Sequence, residues 1–237
     1  MSVAETSDLQ PRLYLIRHGQ ASLGTADYDR LSELGQRQAR LLGERVESDH
    51  TGPWQAWSGS LKRHRQTLAG LAPGRDGRVD ASLNEYTVDQ LIRAAVEQAE
   101  MLSLDLPGEQ AFADPKAYLA TFLAWFPEVL GHWQQASLHC AHNGLWADFH
   151  QRVLSPVPEW RRSLLGGESP VVVTSAGVIS TIVAELTGQD LAWQRELNIS
   201  LYNASVTELS LGADHRWRLE RLNCVAHLSD AEMVTLA

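Results

Sequence analysis

The chain has little cysteine, no long apolar run and a shortage of positive charge, and each shortage removes a class of protein. Only Cys140 and Cys224 occur in 237 residues, too few for a disulfide framework and compatible with a reducing compartment. No uninterrupted apolar stretch is long enough to span a bilayer, and residues 1–12 lack the apolar core of a signal peptide. A soluble cytoplasmic protein is the expectation. With 20 Lys and Arg against 29 Asp and Glu, the formal charge is −9, which argues against a nucleic-acid or anionic-membrane binder because both need a positive surface. Internal repeats, low-complexity tracts and linkers are also missing. Hydrophobic residues make up 44% of the chain, enough to bury one core as a single domain over 1–237 with an elaboration.

What is present begins with Leu13-Tyr14-Leu15-Ile16-Arg17-His18-Gly19. Four apolar residues in a row read as a strand buried on both faces, and open α/β folds place ligands beyond the carboxyl ends of such strands. Arg17 offers a planar fork of donors that matches a phosphate. His18 can attack phosphorus through a neutral ring nitrogen, and Gly19 lets the backbone come close to a ligand.

Downstream, a polar loop over 20–30 leads to a helix that Ser32 can cap, with Leu34, Leu41, Leu42 and Val46 near helical spacing. Residues 54–58 read as a second strand, and Ser60-Leu61-Lys62-Arg63-His64-Arg65-Gln66-Thr67-Leu68 as a loop turning into a helix. Residues 72–80, rich in Gly, Pro, Asp and Arg, read as a surface connection towards Leu83-Asn84-Glu85-Tyr86. From 88 to 157 the pattern is mainly helical, with Tyr118, Phe122, Trp125, Phe126, Val129, Leu130 and Trp133 recurring every three to four residues, as in a helical insertion. Residues 170–175 read as another buried strand opening into a helix to about Leu186, and 205–211 with 217–222 as a terminal hairpin. This order implies a three-layer α/β/α sandwich with a mostly parallel central sheet, an antiparallel edge near the C-terminus and a helical cap inserted at about 88–157.

The ordered set Arg17-His18-Gly19, Ser60-Leu61-Lys62-Arg63 with Thr67, Leu83-Asn84-Glu85 and the late strand running into Gly177 resembles the histidine phosphatase superfamily, also called the phosphoglycerate mutase-like family. Further matches cover most of the chain: Tyr28-Asp29-x-Leu31-Ser32-x-Leu34-Gly35-x-x-Gln38-Ala39, Trp146-x-x-Phe149-x-x-Arg152-Val153 and Leu222-Asn223-x-x-Ala226-His227-Leu228. The resemblance implies phosphoryl transfer without metal or cofactor, through a phosphohistidine at His18. Arg17 and Arg63 would position and neutralise the phosphoryl oxygens, while Glu85 would protonate the leaving oxygen and later activate water. The implied partner is a small phosphorylated substrate, with oligomeric state, a homo-oligomer included, left open.

One departure stands out against that family. Its members commonly carry a second histidine at the end of the late strand, where this chain reads Thr174-Ser175-Ala176-Gly177. Ser175 still offers a phosphoryl oxygen one hydrogen bond, but no positive charge and a shorter reach. Losing one preorganised donor costs about 2.7–4 kcal/mol of transition-state stabilisation. The outcomes in order of expectation are an active enzyme that tolerates serine, a slow enzyme with a roomier pocket, and a phosphate-ligand binder without turnover. A histidine borrowed from the cap is a fourth.

Other features read blandly. His139-Cys140-Ala141-His142, with His150 downstream, lacks a second cluster at ligand spacing and reads as a polar cap loop rather than a metal site. His227 reads as structural, and the aromatic stripe as cap core with one or two rings facing the pocket. A phosphomonoesterase is thus expected. A phosphoglycerate mutase is the enzymatic alternative, disfavoured because residues 20–28, Gln-Ala-Ser-Leu-Gly-Thr-Ala-Asp-Tyr, depart from the mutase pattern.

Overall fold

Leu13, Leu15, Ile16, Val171, Val172 and Val173 are wholly shielded from solvent, which is why their two segments become neighbouring central strands. The computed structural model describes residues 10–22, 28–49, 52–108, 111 and 115–236. Residues 1–9 and the middle of the expected loop and mutase-pattern segment, 23–27, lie outside them.

In chain order the elements are β1 (Arg12–Arg17), α1 (Glu33–Asp49), β2 (Trp54–Ser58), α2 (Lys62–Leu71), β3 (Arg78–Val79), α3 (Val88–Glu97), α4 (Ala99–Leu102), α5 (Pro115–Gln134), α6 (Trp146–Leu154), α7 (Val157–Leu165), β4 (Ser169–Thr174), α8 (Ala176–Thr187), α9 (Leu191–Ser200), β5 (Val206–Leu211) and β6 (Trp217–Cys224). They form two compact units. The first comprises Met1–Leu83, Pro156–Ser175 and Tyr202–Ala237, the second Asn84–Ser155 and Ala176–Leu201.

The first unit holds the whole six-stranded sheet, in the order β3-β2-β4-β1-β5-β6. The first four strands in that order run parallel, and β5 and β6 complete one edge antiparallel. Tyr14, Ile16, Val171 and Val173 project from one face into a cluster with Leu42 and Val46 of α1 and Leu68 and Leu71 of α2. On the other face α7 lies against β1 and β4, and its buried Trp160 meets Trp57 edge-on with ring centroids 5.9 Å apart. Helix, sheet and helix therefore make three layers, as the pattern of elements implied.

Local chemistry explains how α1 starts. Ser32 Oγ accepts the Gly35 N–H at 3.0 Å, satisfying one of the donors that a helix N-terminus leaves free. Gly35 packs against the turn after β1 so closely that a Cβ there would collide with Gln20 backbone, and one on Gly19 would meet Gly35 O. Two glycines thus let α1 approach the strand end.

Two differences from the sequence reading have plain causes. The end of the 72–80 connection pairs as strand β3, Arg78 opposite Trp57 and Val79 opposite Ser58. Both residues are exposed, so the strand has no apolar alternation to betray it. Helices α7 and α9 were not anticipated, because each is nine or ten residues long with few fully buried positions.

Trp160→Ala is expected to destabilise the first unit by about 3–5 kcal/mol, since it removes a buried aromatic and leaves a cavity against Trp57. Urea unfolding measures this directly. A loss under about 1 kcal/mol would mean that the α7 layer does not depend on this contact.

In the second unit, Phe126, Val129, Leu130 and Trp133 form the buried face of α5 at helical spacing, whereas Tyr118 is exposed. Trp133 packs edge-on against Trp146 of α6 and donates Nε1–H to Gly144 O at 2.9 Å. Helix α8 is buried from Ala176 to Ala184, and Gln194 of α9 bonds to Ser180 Oγ at 2.7 Å. Among the described residues, no helix is long and apolar enough to cross a membrane.

Candidate active site

His18 stands directly beyond β1, and its backbone is held from two sides. Its N–H donates to Thr174 O at 2.9 Å, continuing the β1–β4 ladder, and its carbonyl accepts from Ala204 N at 3.1 Å. The imidazole is buried. Nδ1 lies 2.7 Å from Gly19 O; a carbonyl can only accept, so Nδ1 carries the proton. Nε2 is then left with a lone pair.

That lone pair faces Arg63, whose Nε–H donates to Nε2 at 3.2 Å. The guanidinium is held in turn by Asp29, with NH1 on Oδ1 at 2.7 Å, while the Lys62 N–H at the start of α2 takes Oδ2 at 2.8 Å. The Tyr28 ring lies 5.7 Å from the guanidinium carbon. Thr67 ties helix to strand end: its Oγ1 accepts from Gly19 N at 3.0 Å and donates to Arg63 O at 2.7 Å.

Burial pushes the His18 pKa well below 6.5, reinforced by the positive charges of Arg63 and Arg17 and by His64. Neutral imidazole is the nucleophilic form, and this environment keeps His18 neutral at physiological pH. Arg17 is the last residue of β1, in register with Thr174, and its backbone N–H donates to Ser205 O at 3.1 Å.

Ser175 is buried immediately after β4, and its Oγ lies 2.7 Å from His64 Nε2. The histidine beside Ser175 therefore comes from α2, next to Arg63, and its ring centroid is 5.6 Å from that of His18. Neither His64 nor Asp29 was singled out by sequence reasoning. A signal existed for the first: His64, Leu68 and Leu71 are all buried and spaced i, i+4, i+7, the inward face of a helix. For Asp29 there was none beyond its place in the family-like Tyr28-Asp29 stretch.

In the second unit, Glu85 opens onto a cavity of about 300 Å³ lined also by Tyr86, Thr87, His142, Asn143, Asp148, Phe149 and Arg152. Its Oε2 accepts the Gly177 N–H at 2.8 Å and its Oε1 the Tyr86 N–H at 3.2 Å. A Cβ on Gly177 would strike Glu85 and Tyr86, so glycine is needed at the start of α8. Burial lowers the pKa of the Arg152 guanidinium, an effect that the neighbouring charge of Glu85 opposes. The rings at this cavity, Tyr86 and Phe149, come from outside the 118–133 stripe; they stack edge-on at 5.3 Å.

The His139–His142 stretch disperses its side groups. His142 Nε2 meets Thr87 Oγ1 at 3.1 Å, and buried Cys140 accepts from Asn143 Nδ2 at 3.4 Å. No three His, Cys, Asp or Glu residues among those described are grouped as metal ligands would be. His227 Nδ1 accepts from Arg45 at 3.5 Å, within a cluster where Arg12, Arg45 and Arg221 surround buried Glu208.

The structure thus brings His18, Arg17, Arg63 and Ser175 together within the first unit, and places Glu85 in the second. Among proteins of curated function, none matches this chain. Solved structures do. Mycobacterial glucosyl-3-phosphoglycerate phosphatase, in a complex with VO3, is 26% identical with a TM-score of 0.60, covering 91% of this chain and 100% of its own. A phosphoserine phosphatase from Entamoeba histolytica shares the fold at 14% identity and a TM-score of 0.63, over 92% and 99% of the two chains. YhfR of Bacillus stearothermophilus does so at 19% and 0.63, over 92% and 100%. The family model of the histidine phosphatase superfamily (branch 1) matches residues 13–225, so the chain belongs to that superfamily.

Proposed function

We propose that this chain is a phosphomonoesterase that hydrolyses a small phosphorylated substrate through a phosphohistidine at His18, without a metal ion. The observation that carries the reading is the state of His18: Nδ1–H on Gly19 O, and a neutral, unprotonated Nε2 facing Arg63. The likeness to a phosphatase of glucosyl-3-phosphoglycerate supports it.

In the first step Nε2 attacks phosphorus and the ester P–O bond breaks. The leaving oxygen takes a proton from the Glu85 carboxyl group. Arg63 exchanges its hydrogen bond to Nε2 for one to a phosphoryl oxygen, Arg17 neutralises a second, and Ser175 donates to a third. In the second step Glu85, now ionised, takes a proton from water, the water oxygen attacks phosphorus, and the P–N bond breaks. The Nε2 lone pair returns and inorganic phosphate leaves. The charge on the equatorial oxygens is met by guanidinium groups throughout, which is the main demand of phosphoryl transfer.

Phosphate release from an aryl phosphate and a panel of phosphorylated metabolites tests this reading. No turnover by the unmodified protein from acidic to neutral pH would sink it in favour of a phosphate-ligand binder. Conversion of 3-phosphoglycerate to 2-phosphoglycerate would instead support the mutase alternative. Glu85→Gln keeps an acceptor for the Gly177 N–H but removes the transferable proton, and is expected to lower kcat about 100-fold to 10,000-fold. The loss should shrink with substrates whose leaving groups are better, because these need less protonation; an equal loss for all would remove Glu85 from the acid role.

A further inference from the structure

His64 is fully buried on α2, one residue from Arg63. Its Nε2 lies 2.7 Å from Ser175 Oγ, and its Nδ1 has no hydrogen-bond partner among the described residues. The parallel ladder pairs Arg17 with Thr174, so His18 and Ser175 leave neighbouring strand ends about 5 Å apart. The His64 ring sits beside His18, centroid to centroid 5.6 Å.

Two tautomers of His64 are conceivable, with different consequences. With the proton on Nδ1, Nε2 would have to accept the serine hydroxyl proton, and a buried N–H would have no acceptor. With the proton on Nε2, that N–H donates to Oγ and the orphan is a lone pair, which a protein interior tolerates better than an orphaned N–H. The second arrangement leaves the serine proton uncommitted, because Ser175 Oγ has no other partner among the described residues.

We infer that His64 is a positioning residue for phosphoryl transfer: its Nε2–H fixes Ser175 so that the serine O–H donates to a phosphoryl oxygen held at His18. The inference rests on the phosphatase reading above and extends it to the way the serine works. A lone hydroxyl would rotate among its staggered positions, whereas one that accepts a buried N–H has its donor direction restricted, and the two bonds polarise each other. Burial and adjacent Arg63 push the His64 pKa well below 6.5, consistent with a neutral ring that chooses between tautomers.

The test compares the unmodified protein with His64→Ala, His64→Gln, Ser175→Ala and the double variant His64→Ala/Ser175→Ala, measuring kcat and KM for an aryl phosphate. Both alanine variants are expected to lower kcat about 10-fold to 100-fold, with the larger part of the loss in kcat rather than KM. The double variant should be no slower than the slower single variant by more than about 3-fold, since both break one unit. His64→Gln, whose side-chain amide can donate to Ser175, should regain about tenfold over His64→Ala. In the unmodified protein, imidazole nitrogen NMR should find the His64 proton on Nε2.

Multiplying losses, a His64→Ala kcat within twofold of the unmodified value, or a proton on Nδ1 would overturn the positioning role. A failure to fold would show as a lost thermal transition in His64→Ala, and His64→Gln then decides. If the unmodified protein has no turnover, the phosphatase reading itself fails and the positioning role with it, an outcome distinct from those four.

Discussion

His18→Ala is expected to abolish hydrolysis, with a loss of at least about 10,000-fold in kcat, because on the proposed reading His18 Nε2 is the atom that forms the covalent intermediate. The imidazole is neutral and buried, so its removal leaves no uncompensated charge, and the fold should survive; circular dichroism checks this. Rapid quenching with a radiolabelled phosphoester should trap an acid-labile phosphoenzyme in the unmodified protein and none in the variant. Persistence of the label in His18→Ala would place the nucleophile elsewhere.

On the same reading, His18 is expected to set the acid side of the pH profile. Protonation of Nε2 removes the attacking lone pair, so activity is lost as pH falls through the His18 pKa. Burial, Arg63, Arg17 and His64 all push that pKa down from 6.5, so the protonation-controlled fall in kcat/KM should lie at a pH well below 6.5. A nucleophile titrating at or above 6.5 would show that the neutral, buried state of His18 is not the one that reacts.

Arg63→Ala is the second large effect, with an expected loss of about 1,000-fold in kcat/KM. On the proposed reading the guanidinium has two tasks. It faces His18 Nε2, where a phosphoryl oxygen would sit in the proposed reaction, and arginines in such positions contribute about 1,000-fold or more to phosphoryl transfer. It also lowers the His18 pKa by its charge. The variant should therefore both slow the reaction and move the acid fall in kcat/KM to higher pH. Arg63→Lys keeps charge but not the fork that bonds Asp29 and His18 at once, and should recover only part of the rate. Asp29→Asn should do less harm than either, since it loosens the guanidinium without removing it. Equal rates for Arg63→Ala and the unmodified protein would exclude the phosphate-positioning role.

Much of the scaffold could be read from residue order because local physics writes it there. The run Leu13–Ile16 and the valines at 171–173 have no polar member to face water, so they had to be central strands. Ser32 before an apolar helical stripe marked where α1 begins. The exposed pair Arg78 and Val79 carried no such mark, and neither did α7 and α9. The division of the chain was less legible still: α8 and α9 follow β4 in sequence but pack with α6 and α5, and apolar periodicity cannot say which neighbour an apolar face will choose.

For the site, residue order and type supplied the chemical inventory: a histidine and an arginine at one strand end, a second arginine at a helix start, a glutamate, and a serine at a neighbouring strand end. Their grouping as one site is what the family resemblance implied. The state of each group, by contrast, is set by contacts that folding creates. The tautomer of His18 depends on a carbonyl one residue away, its neutrality on burial and on charges from β1 and α2, and the aim of Arg63 on Asp29 in a separate loop. Folding also decided that Ser175 is partnered by His64, 111 residues earlier in the chain. Hydrogen bonds and desolvation act over a few ångströms of space whatever the separation in sequence, and folding alone sets which groups come within that range.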